Sequence, residues 1–159
     1  MLSSDKLNRR QVLIGATAGA LGIGAAALSP ITVLAADSSS LVGTWDVLIT
    51  DETGPGEPTT VEGATTFAPG GGVVTMDSGQ ASTGIGSWAK KSGRAFSARF
   101  MQFGFGPPGP SKVIVSVKGT LSEQDSISGT FTFKVYDLQG NQFPVDGKGK
   151  FTGTRFNAA

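Results

Sequence analysis

Apolar and polar side chains alternate along Ile127-Ser128-Gly129-Thr130-Phe131-Thr132-Phe133-Lys134-Val135-Tyr136. A period of two residues is typical of a β-strand that buries one face and exposes the other. Similar alternation recurs in short segments on the amino-terminal side of this stretch and once after it. The sequence therefore predicts seven further strands, at Leu41–Thr50, Thr60–Phe67, Gly72–Asp77, Gly84–Lys90, Arg94–Phe105, Lys112–Leu121 and Gln142–Phe156.

Turn-forming residues separate these segments, since 20 of the 24 glycines and seven of the eight prolines lie after residue 40. No stretch in that region places apolar residues at helical spacing, so the predicted class is all-β. Successive antiparallel strands leave two exposed edges unless the sheet closes on itself. A barrel of about eight strands can be filled by side chains or can hold one small ligand. We predict an eight-stranded antiparallel up-and-down barrel, with a two-sheet sandwich as the alternative.

The first 36 residues have the layout of an export signal. Lys6 and Arg9-Arg10 form a basic region, residues 12–28 are uncharged, and small residues surround Ala36. Residues 8–13 resemble a twin-arginine signal, although Asn8 and Val12 depart from its pattern. We therefore expect residues 1–36 to be removed on export to the periplasm, cell surface or medium. Residues 37–159 would remain as a single barrel domain without a stable membrane span.

Composition excludes several function classes. Residues 37–159 contain 10 basic and 11 acidic side chains, so no basic surface indicates nucleic-acid binding. The chain has no Cys and therefore no disulfide, and it has no His. The missing imidazole removes the usual general base near neutral pH and the commonest zinc ligand. Neither a Gly-x-Ser-x-Gly motif nor a cluster of metal ligands occurs, so we predict no catalytic residues, no metal and no cofactor.

Short motifs at the two ends of the predicted barrel resemble the calycin superfamily, lipocalins above all. The first strand opens with Gly43-Thr44-Trp45, and the last ends with Gly153-Thr154-Arg155. In that superfamily, a basic residue of the last strand packs over the Trp of the first. The resemblance implies that Gly43, Trp45 and Arg155 form a structural signature, with Arg155 lying over the Trp45 ring. The chain also resembles small signal-bearing bacterial proteins that share an inner Gly-x-Gly-x-Trp, here residues 84–88.

The predicted barrel interior is rich in aromatic side chains, and its glycine-rich walls add little volume. Each inward residue could simply fill the core, but together they favour a cavity for a flat apolar ligand. Val115 and Val117 are also expected to face inward, and Gly84 and Gly86 are expected to leave space beside Trp88. The candidate pocket residues are Met76, Trp88, Phe96, Phe100, Gln102, Phe103, Phe131 and Phe133.

The segment Arg94–Phe105 is apolar in both phases of its alternation. A β-bulge near Met101-Gln102 would switch the phase and bring both sets of side chains inward. Without a bulge, one set would form an exposed apolar patch, which would indicate a surface for a partner.

Three functions are compatible with these observations. The first is an exported, non-enzymatic, lipocalin-like barrel, acting as a monomer, that binds a small hydrophobic or amphipathic molecule. The second is a cofactor-independent cyclase or isomerase in a barrel of the allene-oxide-cyclase or dirigent type. The third is a structural envelope protein whose barrel is filled. An open apolar cavity would favour binding, and an open cavity with a buried, paired carboxylate or Arg would favour catalysis.

Overall fold

The computed structural model describes residues 40–79, 82–106 and 109–157, so the predicted signal at residues 1–36 lies outside the described residues. Each strand pairs antiparallel with the next, and the last pairs with the first to close a barrel. The described part of the chain contains no helix, and so none that could cross a membrane. The strands are β1 (Gly43–Asp51), β2 (Thr59–Phe67), β3 (Gly72–Asp77), β4 (Gly84–Lys90), β5 (Ala95–Gly106), β6 (Gly109–Leu121), β7 (Ser126–Tyr136) and β8 (Gln142–Arg155).

The predicted eight-stranded antiparallel up-and-down barrel is therefore confirmed, and the two-sheet alternative is wrong. Strand boundaries follow the alternation in the sequence closely. The largest difference is at β6, which begins at Gly109 rather than Lys112 because its pairing with β5 continues to Gly106.

The contact predicted between the first and last strands is also confirmed. Trp45 lies directly opposite Arg155 in the pairing of β1 with β8. The Arg155 guanidinium carbon lies 4.3 Å from the centre of the Trp45 ring, which is cation–π geometry. The Trp45 side chain is fully buried, and its Nε1–H donates a hydrogen bond of 2.9 Å to the carbonyl of Leu41. These contacts close one end of the barrel.

The apolar core fills this same closed end. Its side chains come from the first halves of β1, β3, β5 and β7, from the ends of β2 and β6, and from the residues just before β1. Phe67 and Phe96 pack edge to face, with ring centres 5.4 Å apart. The buried members of the core are Leu41, Trp45, Val47, Phe67, Val73, Phe96, Ala98, Leu121 and Ile127.

Interior phenylalanines repeatedly face glycines across neighbouring strands. Phe133 is directly opposite Gly147, and Phe131 is opposite Gly149, in the pairing of β7 with β8. A Cβ built at either glycine would collide with the opposing ring, so each ring occupies the space above a glycine. The same relation holds for Phe151 with Gly129 and for Phe96 with Gly119. The rings therefore lie against the barrel wall.

Candidate ligand-binding cavity

A cavity of about 640 Å³ occupies the barrel above the closed end. Its deepest wall is made by core residues such as Phe67 and Ile127. Asp51 and Asp77, near the ends of β1 and β3, line it at the opposite end together with Phe105, whose side chain is 73% exposed. Pockets of this size accommodate drug-sized molecules.

Four predicted pocket residues line the cavity: Phe100, Gln102, Phe131 and Phe133. They come from β5 and β7, where alternation directs every second side chain inward. Val115 and Val117 line the cavity as well. Contact of these residues with a ligand stays a prediction.

Trp88 and Phe96 belong to the closed-end core instead of the cavity wall. The rings of Trp88 and Phe67 meet edge to face, with centres 5.8 Å apart, and the Trp88 Nε1–H donates a 3.0 Å hydrogen bond to the Ala68 carbonyl. Phe96 is buried between Phe67 and Phe151. Both residues face the interior as expected, but they pack in the closed-end core and do not line the cavity.

Met76 and Phe103 face outward, and the prediction that they line the pocket interior is wrong. Their side chains are 56% and 42% exposed. β5 pairs with β4 and β6 without any shift of register around Met101-Gln102, so the predicted bulge does not occur. Because the period of two continues unbroken, Phe103 is directed away from Gln102, and Met76 away from the buried Thr75.

The space expected beside Trp88 is absent. A Cβ at Gly86 would collide with the backbone of β5 at Arg99 and Phe100. A Cβ at Gly84 would lie 2.7 Å from Thr75 Cγ2 and 2.9 Å from Phe100 Cδ2. These glycines allow β4 and its neighbours to approach closely, and they do not border free volume.

An exposed apolar patch runs across the outside of the barrel, as expected in the absence of a bulge. Val74, Ile85, Met101 and Ile114 are successive partners in the register of β3 to β6. Ile85 is 64% exposed and Met101 is 40% exposed. We call these four residues the outer patch. Binding of a partner there stays a prediction.

Buried polar groups interrupt the apolar wall at mid-depth. Thr65 and Thr75 are cross-strand partners whose hydroxyl oxygens lie 2.9 Å apart, and Thr75 is 5% exposed. Gln102 is 7% exposed, and its carboxamide makes no hydrogen bond within the described part of the chain. The threonines were missing from the sequence-based site, although their phase with Phe67 and Val73 signals an inward direction.

Charge in the cavity wall is acidic. The described lining includes the carboxylates of Asp51 and Asp77 and no Lys or Arg. Asp51 accepts a hydrogen bond from the Thr53 amide, and Asp77 accepts one from the Gly79 amide. The half-buried ion pair of Arg155 with Asp125 lies at the closed end and outside this lining. Among the described residues, no group of acidic side chains is arranged to hold a metal ion.

No protein-family model, curated protein or solved structure matches this chain. The case for a function therefore rests on the barrel and its cavity.

Proposed function

We propose that this chain is an exported barrel that binds a small apolar or amphipathic molecule inside its cavity. The observation that carries the proposal is a 640 Å³ space, walled by aromatic and aliphatic side chains, in a barrel whose other end is closed by a packed core. Binding opposite the end closed by Trp45 and Arg155 agrees with the calycin resemblance.

The placement of the aromatic rings supports binding over a purely structural role. An eight-stranded barrel is narrow enough for side chains to fill it. Here Phe131 and Phe133 lie over glycines at the wall, which leaves the centre of the barrel unfilled. Apolar surface left facing an open cavity is unfavourable for folding but favours association with an apolar ligand.

The charged groups favour binding over the cyclase alternative. Catalysis on a bound apolar substrate would call for a charged or acidic group facing the substrate in a water-poor part of the site. The half-buried ion pair of Arg155 with Asp125 lies at the closed end, away from the cavity, and Asp51 and Asp77 lie at the opposite, open end. The polar groups at mid-depth in the cavity are neutral: Gln102, Thr65 and Thr75.

Titration with the uncharged fluorescent probe N-phenyl-1-naphthylamine tests the proposal. We expect saturable binding with one-to-one stoichiometry. Val113, which lines the cavity, and Ile114, which faces away from it, offer a matched pair on β6. Val113→Trp places an indole in the cavity and should weaken probe binding about tenfold, whereas Ile114→Trp should leave it unchanged.

The outer patch requires a second control, because apolar probes also bind exposed apolar surfaces. Met101→Ser removes an apolar side chain from the centre of the patch and should leave the probe affinity unchanged. Absence of saturable binding across a broad set of apolar probes would contradict the proposal. Loss of binding in Met101→Ser with full binding in Val113→Trp would place the probe on the outer patch and contradict it as well.

A further inference from the structure

We propose that the cavity selects apolar molecules that carry an uncharged hydrogen-bonding group (an amide, a hydroxyl or a carbonyl) and that Gln102 recognises this group. The inference rests on the proposed binding function and specifies the chemistry of the ligand. It excludes carboxylates as preferred ligands.

The first observation is the state of the Gln102 side chain. It lines the cavity and is 7% exposed, yet its carboxamide has no hydrogen-bond partner among the described residues. Among the described residues, Asp125 Oδ1 is the enclosed side-chain atom without a hydrogen bond, so the Gln102 carboxamide is instead accessible from the cavity that it lines, where a ligand can reach it. A glutamine carboxamide has both donor and acceptor atoms, so a neutral polar group of a ligand can either donate a hydrogen bond to it or accept one from it.

The second observation is the position of Gln102 beside other neutral polar groups. A Cβ built at Gly84 would lie 3.3 Å from Gln102 Oε1 and 2.7 Å from Thr75 Cγ2, so both side chains meet over this glycine. Thr75 is in turn paired with Thr65 through their hydroxyl oxygens. One hydroxyl of a mutually bonded pair keeps its proton for another acceptor. Gln102 and the two threonines thus offer donors and acceptors without charge.

The third observation is the sign of the surrounding charge. Asp51 and Asp77 line the open end, and the described lining contains no cation to pair with an anionic ligand. A carboxylate at the depth of Gln102 would lose its hydration without gaining a counter-charge, which is strongly unfavourable. An uncharged group of similar shape avoids this cost.

Competition between chain-matched molecules tests the inference. Dodecanamide and dodecanoate are each used at pH 8 to displace N-phenyl-1-naphthylamine from the protein. The amide can hydrogen-bond to Gln102, whereas the carboxylate would be buried without a counter-charge. We therefore expect dodecanamide to bind about tenfold or more tightly than dodecanoate.

The variant Gln102→Leu keeps the apolar wall and removes the carboxamide. It should weaken dodecanamide about tenfold while the affinity for N-phenyl-1-naphthylamine stays within about twofold, which also shows that the variant is folded. Gln124→Leu, in the exposed turn between β6 and β7, is the matched control and should change neither affinity.

The outcomes separate this inference from the proposed function. Absence of saturable probe binding to the unmodified protein contradicts the proposed function itself. Probe binding with dodecanoate equal to or tighter than dodecanamide overturns the neutral-ligand inference and leaves the binding function intact. An unchanged dodecanamide affinity in Gln102→Leu overturns the role of Gln102. If that variant fails to fold, the comparison of dodecanamide with dodecanoate on the unmodified protein still tests the preference for an uncharged ligand.

Discussion

The ring of Phe133 occupies the space that a side chain at Gly147 would fill. The two residues are direct partners across β7 and β8, and the three atoms nearest to a Cβ at Gly147 all belong to that ring. Phe131 and Gly149 are related in the same way two pairs further along, but there a Cβ would also collide with the Thr50 carbonyl oxygen of β1. This difference allows the role of the rings to be separated from that of the backbone.

Gly147→Ala should push the Phe133 ring away from the wall and into the cavity. We expect a loss of about 1–3 kcal/mol in the free energy of unfolding, as for other overpacked sites, together with weaker probe binding. When Phe133→Ala is added, Gly147→Ala should no longer lower the free energy of unfolding, because the colliding ring is gone. Denaturant unfolding of the single and double variants measures this coupling.

Gly149→Ala supplies the contrasting case. Its penalty should persist when Phe131→Ala is added, since the collision with the β1 carbonyl remains. Equal rescue at both positions would show that the ring contacts alone set the cost and would contradict this account.

Trp45→Ala should lower the free energy of unfolding by about 3–5 kcal/mol, as expected for removal of a fully buried aromatic side chain. Trp88→Ala is the comparison, because Trp88 is only half-buried at the edge of the same core. Its effect should be smaller. A larger effect at Trp88, measured by the same chemical denaturation, would show that Trp45 is not the centre of the closed end.

Arg155→Lys should destabilise the barrel although the charge is kept. Arg155 donates from Nε to Asp125 at 2.6 Å, from Nη1 to the Val42 carbonyl at 2.9 Å and from Nη2 to the Ser40 carbonyl at 2.6 Å. A lysine ammonium cannot reproduce this planar set of donors, so we expect a loss of about 2 kcal/mol. Arg94→Lys should change stability by less than about 0.5 kcal/mol, since the 3.6 Å pair of Arg94 with Glu123 is solvent-exposed. Equal effects in thermal or denaturant unfolding would contradict a special role for Arg155.

Hydrogen bonds lower the pKa of the Asp137 carboxyl below its ordinary value of 3.8, chiefly the one from the Asn141 side chain and then those from nearby backbone amides. A lowered pKa in the folded state favours the carboxylate, so the turn between β7 and β8 gains from this charge above the unfolded pKa. That gain disappears as the pH falls through the folded pKa. Asn141→Ala should raise the pKa of Asp137, which an NMR titration of the carboxyl carbon measures. An unchanged midpoint would contradict the assigned cause.

Export is tested independently of the barrel. Replacing Arg9 and Arg10 with lysines should block translocation if the twin-arginine route is used, and the exported protein should begin near Ala36 or Asp37. Cell fractionation and amino-terminal sequencing measure both. Undiminished export of the variant would indicate the general secretory route.

The strands and their closure were predictable because alternation and turn residues are local features, and because Trp45 and Arg155 mark the two strands that meet. The inward face of β5 was harder to predict, since both phases carry apolar residues and only the register with β4 and β6 distinguishes Gln102 from Phe103. The open centre depends on rings that face glycines on a different strand, such as Phe133 and Gly147. Such pairs are fixed by register, which single-strand patterns do not contain.

The position of the polar cavity residues outside the closed-end core has an evolutionary consequence. Substitutions that alter ligand preference commonly reduce stability when the same residues serve both purposes. Here the tightly packed core and the Arg155 ion pair lie at one end, and Gln102, Thr65 and Thr75 line the cavity without belonging to that core. New ligand preferences could therefore arise by change around the cavity while the closed end continues to maintain the fold.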